Sequence, residues 1–122
     1  MALSVLIVDD SEPVVLVLKH ILAASGFNVV GSAGTCEEAL QKALALQPDV
    51  ITLDTILPDE LGVDLIKRFN TEGVRSKVIF ISGTGSDDIV KKAMDNGAVD
   101  YILKPIQTEV LVSALNKLQK NN

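Results

Sequence analysis

Five short runs of aliphatic and β-branched residues recur along the chain, at 4–9, 28–33, 49–54, 77–82 and 99–103. An apolar stripe at helical spacing follows each one. Val14, Val17, Leu18 and Ile21 keep the i, i+3, i+4, i+7 pattern, and Ala39, Leu40, Ala43 and Leu44 form a second stripe. Leu65, Ile66 and Phe69 mark a third helix, and Ile89, Val90, Ala93 and Met94 a fourth. Val110, Leu111, Ala114, Leu115 and Leu118 mark a fifth. Strand-then-helix alternation repeated five times predicts an α/β fold, (βα)5, with a doubly wound parallel sheet and helices on both faces. The first, third and fourth runs are almost continuously apolar, as strands covered on both sides are, whereas the second and fifth are more polar and suit sheet edges. Thr35 and Glu38 read as a capping box, Ser86 as an N-cap and Gly97 as a helix stop.

A length of 122 residues suits one domain, 1–122, with one continuous core. Aromatic residues make up only 3 %, so that core must be aliphatic. Eleven basic residues against sixteen acidic ones give a net charge of −5, which opposes direct binding to nucleic acid or anionic lipid. The single Cys permits no internal disulfide, and no apolar run reaches membrane-spanning length. The opening "MALSVLIVDDSEP" turns acidic at once and lacks a basic leader. Together these features predict a cytoplasmic protein without membrane insertion.

In open parallel sheets the working site lies beyond the C-terminal strand ends. The first run ends in Asp9 and Asp10, the third in Asp54, the fourth in Ser82 and Gly83, and the fifth in Lys104 and Pro105. One rim should therefore hold three carboxylates, a hydroxyl and an ammonium. Clustered carboxylates repel, and a hard divalent cation relieves that repulsion. Oxygen-only donors with no neighbouring His or Cys favour Mg²⁺, or Mn²⁺, over Zn²⁺. Asp54 sits centrally and is the best nucleophile for a phosphoryl group. Lys104 would face the phosphoryl oxygens as a point charge, and Ser82 could donate a hydrogen bond to them. Singly, each residue has an ordinary reading: the acidic pair as a helix cap, Ser82-Gly83 as a turn, Lys104-Pro105 as a loop. Their conjunction at separate strand ends is what points to chemistry.

These residues resemble the receiver domains of two-component response regulators, of the chemotaxis-regulator kind. The resemblance covers essentially the whole chain. It rests on Asp9-Asp10, on the D-x3-P-x3-G pattern of Asp54, Pro58 and Gly62, and on Ser82, Tyr101 and Lys104-Pro105. It implies the flavodoxin-like strand order 2-1-3-4-5, which comes from the family and not from the patterning. It also implies that Asp54 accepts a phosphoryl group from a histidine of a sensor kinase or phosphotransfer protein. Asp9, Asp10, Asp54 and the Ile56 carbonyl would hold Mg²⁺, and Lys104 would contact the phosphoryl group. Ser82 and Tyr101 would form the switch that shifts the population between two packings and so controls a partner or output domain. A cis Lys104-Pro105 bond belongs to the same resemblance. The two glycines of 82–88 suit a loop that can switch.

Ile56 departs from the polar residue often found there, and should slow loss of the phosphoryl group by excluding water. Val15 and Leu16 lie off the expected helix stripe, beside Lys19 and His20, and would form either a docking face for the phosphodonor or partly covered core. His20 has no second His to share a metal with. Cys36 is either an inert thiol or one activated by the helix dipole. Three other functions compete. A haloacid-dehalogenase-type phosphatase needs an acid two residues after its nucleophile, where this chain has Ile56. A flavodoxin-like cofactor binder needs a phosphate-cradling loop where "DDSEP" is acidic. A phosphorylation-independent interaction module would need none of the acceptor, metal and cation residues.

Overall fold

The computed structural model describes residues 2–83 and 87–120. The elements run β1 (Ser4–Val8), α1 (Glu12–Ala24), β2 (Asn28–Ala33), α2 (Cys36–Leu46), β3 (Val50–Asp54), α3 (Gly62–Glu72), β4 (Lys77–Ser82), α4 (Asp87–Asn96), β5 (Asp100–Leu103) and α5 (Thr108–Lys120). The strands form one sheet in the order β2-β1-β3-β4-β5, with every neighbouring pair parallel. This is the flavodoxin-like order, and the two more polar runs do form its edges.

Strand alternation divides the core. Leu6, Val8, Ile51, Leu53 and Phe80 pack with α2, α3 and α4 on one face. Val5, Ile7, Val50, Ile79 and Ile81 pack with α1 and α5 on the other. Each fully buried Leu or Ile contributes about 1.5–3 kcal/mol by leaving water, so these strands cannot slip by one residue without exposing both layers.

The seating of α1 differs from the expectation. Val15, Leu18 and Leu22 are its buried residues, while Val14 and Ile21 pack at the margin. Val17 is 55 % exposed and Leu16 65 % exposed. The outward aliphatic pair is therefore Leu16-Val17, and Val15 is core. Leu44 and Val110 likewise fall outside the buried set.

Helix ends follow local chemistry. Ser11 caps α1, and Thr35 caps α2 by accepting from the Glu38 N–H at 3.1 Å. Glu38 reaches back to the Gly34 N–H at 2.8 Å, one residue beyond the usual capping-box partner. Gly97 ends α4 at φ +123°, a conformation that L side chains rarely adopt. Ser86, expected as the α4 cap, and the middle of the 82–88 loop lie outside the described residues.

Candidate functional site

The C-terminal rim of the sheet gathers the expected residues from three strand ends. Asp9 follows β1, Asp54 is the last residue of β3, and Lys104 follows β5. The Lys104 ammonium donates to Asp54 Oδ1 at 3.1 Å and lies 3.8 Å from Asp9 Oδ2. Asp9, Asp10 and Asp54 each offer a carboxylate oxygen, all within 4.8 Å of one another. Asp9 is buried, Asp54 half-buried and Asp10 exposed.

Each side chain is placed by its own strand end. The Asp9 N–H donates to the Ala33 carbonyl at 3.0 Å, and Asp9 Oδ1 accepts from the Ser11 N–H at 2.9 Å. Asp9 thus does act at the start of α1, as its ordinary reading suggested, while Oδ2 faces Lys104. Asp54 Oδ1 also accepts from the Thr55 N–H at 2.8 Å. The Thr55 hydroxyl donates to the Ile81 carbonyl at 2.9 Å, fastening the loop after β3 to β4. Lys104 is positioned by its own N–H, which donates to the Ser82 carbonyl at 2.8 Å. The Lys104-Pro105 bond is cis.

Ser82 lies fully buried at the end of β4, beside β3 and β5. Tyr101 pairs with Phe80 across the sheet and is 44 % exposed, away from the carboxylate cluster. Ile56 bridges Leu61 in antiparallel fashion, and its side chain is 65 % exposed at the rim. It brings no acid to the position that a phosphatase would need.

Three carboxylates, an ammonium and no imidazole or thiol ligand make an oxygen-only donor set that fits Mg²⁺. Burial, above all, pushes the Asp9 carboxyl above the ordinary carboxylate range, and the charges of Asp54 and Asp10 add to it. The Ser11 N–H and Lys104 work in the other direction. A carboxylate whose folded pKa is raised costs stability as pH rises through that value. Asp9→Asn keeps an acceptor for the Ser11 N–H and removes this cost. In EDTA it should raise the midpoint of thermal unfolding at pH 7, with the gain shrinking as pH falls and vanishing below about 3, where Asp9 is largely protonated in both states. A gain independent of pH would place the cause elsewhere.

Sequence reasoning missed Thr55, whose polar side chain directly after Asp54 was the available signal. It also left Cys36 open. The thiol is fully buried beside Asp59 and Glu60, and desolvation, followed by those charges, pushes it up to about 12. Dipole activation is therefore overturned, and Cys36 is an inert core residue of α2.

The model of the response regulator receiver domain family matches residues 5–116. Chemotaxis protein CheY of Thermotoga maritima is 39 % identical over 116 residues, spanning 95 % of this chain and 97 % of that protein. CheY of Bacillus subtilis is 33 % identical over 117 residues, spanning 96 % and 98 %. A chain of the CheX-CheY-BeF3-Mg²⁺ complex from Borrelia burgdorferi superposes with a TM-score of 0.91 at 30 % identity, over 96 % of this chain and 89 % of that one. A match that runs nearly end to end, on the same sheet order, settles the family: this chain belongs to the response regulator receiver domains, which are phosphoacceptor signalling modules and not classical enzymes.

Proposed function

We propose that Asp54 is the phosphoacceptor and that residues 1–122 act as one receiver unit in the cytoplasm. The observation that carries this reading is the contact of Asp54 Oδ1 with Lys104 inside the carboxylate cluster. An Asp54 oxygen attacks phosphorus in line, the bond from phosphorus to the donor atom breaks, and the donor leaves with the electron pair. Lys104 neutralises the phosphoryl oxygens as charge builds on them, and Ser82 donates to one of them. Asp9, Asp10, Asp54 and the Ile56 carbonyl would hold Mg²⁺, with Mn²⁺ as a substitute. The ion supplies charge neutralisation for both the carboxylates and the incoming group. The Borrelia relative, whose complex contains Mg²⁺ and BeF3, supports this assignment. The protein thereby assists its own phosphorylation and dephosphorylation.

The donor is a histidine of a sensor kinase or phosphotransfer protein. An apolar groove formed by Pro13, Val14, Val17, Pro105 and Ile106 runs beside Lys104 and suits docking of that donor. Val17 replaces Val15 in this role. Phosphorylation then biases Ser82 and Tyr101 between two packings, and the exposed Tyr101 ring is the part a downstream partner would read.

Intact mass after incubation with acetyl phosphate tests the reading. One phosphoryl group should appear with Mg²⁺ and none with excess EDTA. A native protein that stays unlabelled, and also fails to bind beryllofluoride with Mg²⁺, would favour a phosphorylation-independent module. Ile56→Asn should shorten the lifetime of the adduct several-fold once acetyl phosphate is removed with Mg²⁺ kept present, because an amide draws water to the rim. A native lifetime equal to or shorter than the variant's would sink that role for Ile56.

A further inference from the structure

The loop after β3 does not stand alone. Ile56 and Leu61 bridge, and the Leu57 N–H donates to the Glu60 carbonyl at 3.1 Å, so residues 55–61 form a small lobe. Its tip is fastened to the first turn of α2. Asp59 Oδ1 accepts from the Cys36 N–H at 2.8 Å, and Oδ2 accepts from the Glu37 N–H at 3.1 Å. Thr35 takes the Glu38 N–H. The first three amides of α2 therefore have partners, and two of the three come from the loop. Arg68 of α3 adds a tie, donating to Glu60 at 2.6 Å and to Glu37 at 3.1 Å. That pair is partly exposed, and such ion pairs contribute little by themselves. The carboxylate spanning two amides is the stiffer link, and those amides hold the Asp59 carboxyl below its ordinary range.

The same turn of α2 also steadies the opposite wall of the site. Glu38 holds the Gly34 N–H, and Gly34 shares the wall of one pocket with Asp9 and Asp10. The segments at 34 and at 59 thus both hydrogen-bond to the first turn of α2.

We propose that Asp59 is a positioning residue for the metal: by bonding the first turn of α2 it presets the backbone around Ile56 beside Asp54. The proposal rests on the metal assignment made above for that site. Without Asp59 the cation must order the loop as it binds, and affinity falls by the cost of that ordering.

The test is an Mg²⁺ titration of the full chain, with no phosphodonor, followed by backbone amide chemical shifts. Asp59→Ala should weaken Mg²⁺ binding about tenfold, the low end for residues that orient metal ligands. Asp59→Asn, which keeps one acceptor, should fall between the two. Thr35→Ala removes a cap from the same helix end without touching the loop, and should keep the native Kd within about twofold. In the metal-free protein, Asp59→Ala should speed hydrogen exchange at Leu57 and Gly62 as well as at Cys36. A native Kd in Asp59→Ala would overturn the proposal, and so would equal weakening by Thr35→Ala, which would make helix stability the cause. Native protein that shows no Mg²⁺-dependent shift at all would overturn the metal assignment itself, and the proposal with it.

Discussion

Asp54→Asn should carry no phosphoryl adduct under conditions that label the native protein to completion. The substitution replaces a charged nucleophile with a neutral amide whose oxygen is a poor one. It also removes the closest partner of Lys104, which would retain Asp9 at 3.8 Å. Folding should survive the change. The amide oxygen can still accept from the Thr55 N–H, which bonds Asp54 Oδ1 at 2.8 Å in the native protein. The loss should therefore be chemical, with circular dichroism unchanged and the midpoint of unfolding within a few degrees of native. Labelling of Asp54→Asn at a native rate would move the acceptor to Asp9 or Asp10. That outcome conflicts with the geometry, because Asp9 is buried and already engages the Ser11 N–H, while Asp10 is exposed.

The sheet was legible because its strands are buried on both faces. A continuous apolar run such as Val5–Val8 leaves no polar face to turn outward, so a strand between two helical layers is the simplest solution. The strand ends were legible for the same reason, since a carboxylate or ammonium ends an apolar run at the rim. The rotation of α1 was not. Residues 14–18 read "VVLVL", and two stripes with helical spacing fit them equally well. Packing chose the one that buries Leu18 and Leu22 completely and leaves Val17 outward, beside Pro105 and Ile106. Cys36 was ambiguous because a helix N-terminus lowers a thiol's pKa whereas burial raises it. Burial wins here, reinforced by Asp59 and Glu60 from a loop 23 or 24 residues away in sequence. The Asp59 tie is long-range in the same way, and no local pattern announces it.

Gly62→Ala should be the most damaging small substitution in the chain, and its cost does not come from backbone conformation. Among the described residues, Gly26, Gly73 and Gly97 are the glycines at positive φ, and Gly62 is not one of them. Gly62 instead opens α3 against the backbone of β3, and its N–H donates to the Thr55 carbonyl at 2.8 Å. A methyl group there would overlap the Asp54 carbonyl oxygen and lie 3.3 Å from both the Asp54 carbonyl carbon and Phe80 Cε1. Neither neighbour yields cheaply. Asp54 is locked in register opposite Ile81, and Phe80 is fully buried in the core. Overpacking of this kind costs about 1–3 kcal/mol where side chains can adjust, and more where backbone must move. The midpoint of unfolding should fall by roughly 10 °C for a domain of this size. Relief requires α3 to shift away from β3, which carries the loop from 55 to 61 with it and turns Asp54 out of line with Lys104. Labelling by acetyl phosphate should slow well beyond what the lost stability explains. Gly73→Ala supplies the comparison. It sits at φ +86° at the far end of α3 with nothing within 4 Å of an added methyl, so it should lose about 1–2 kcal/mol to backbone strain and keep the native labelling rate. If both variants labelled at the native rate, the close approach of Gly62 to Asp54 would have no part in shaping the site. The spacing of Asp54, Pro58 and Gly62 would then serve stability alone.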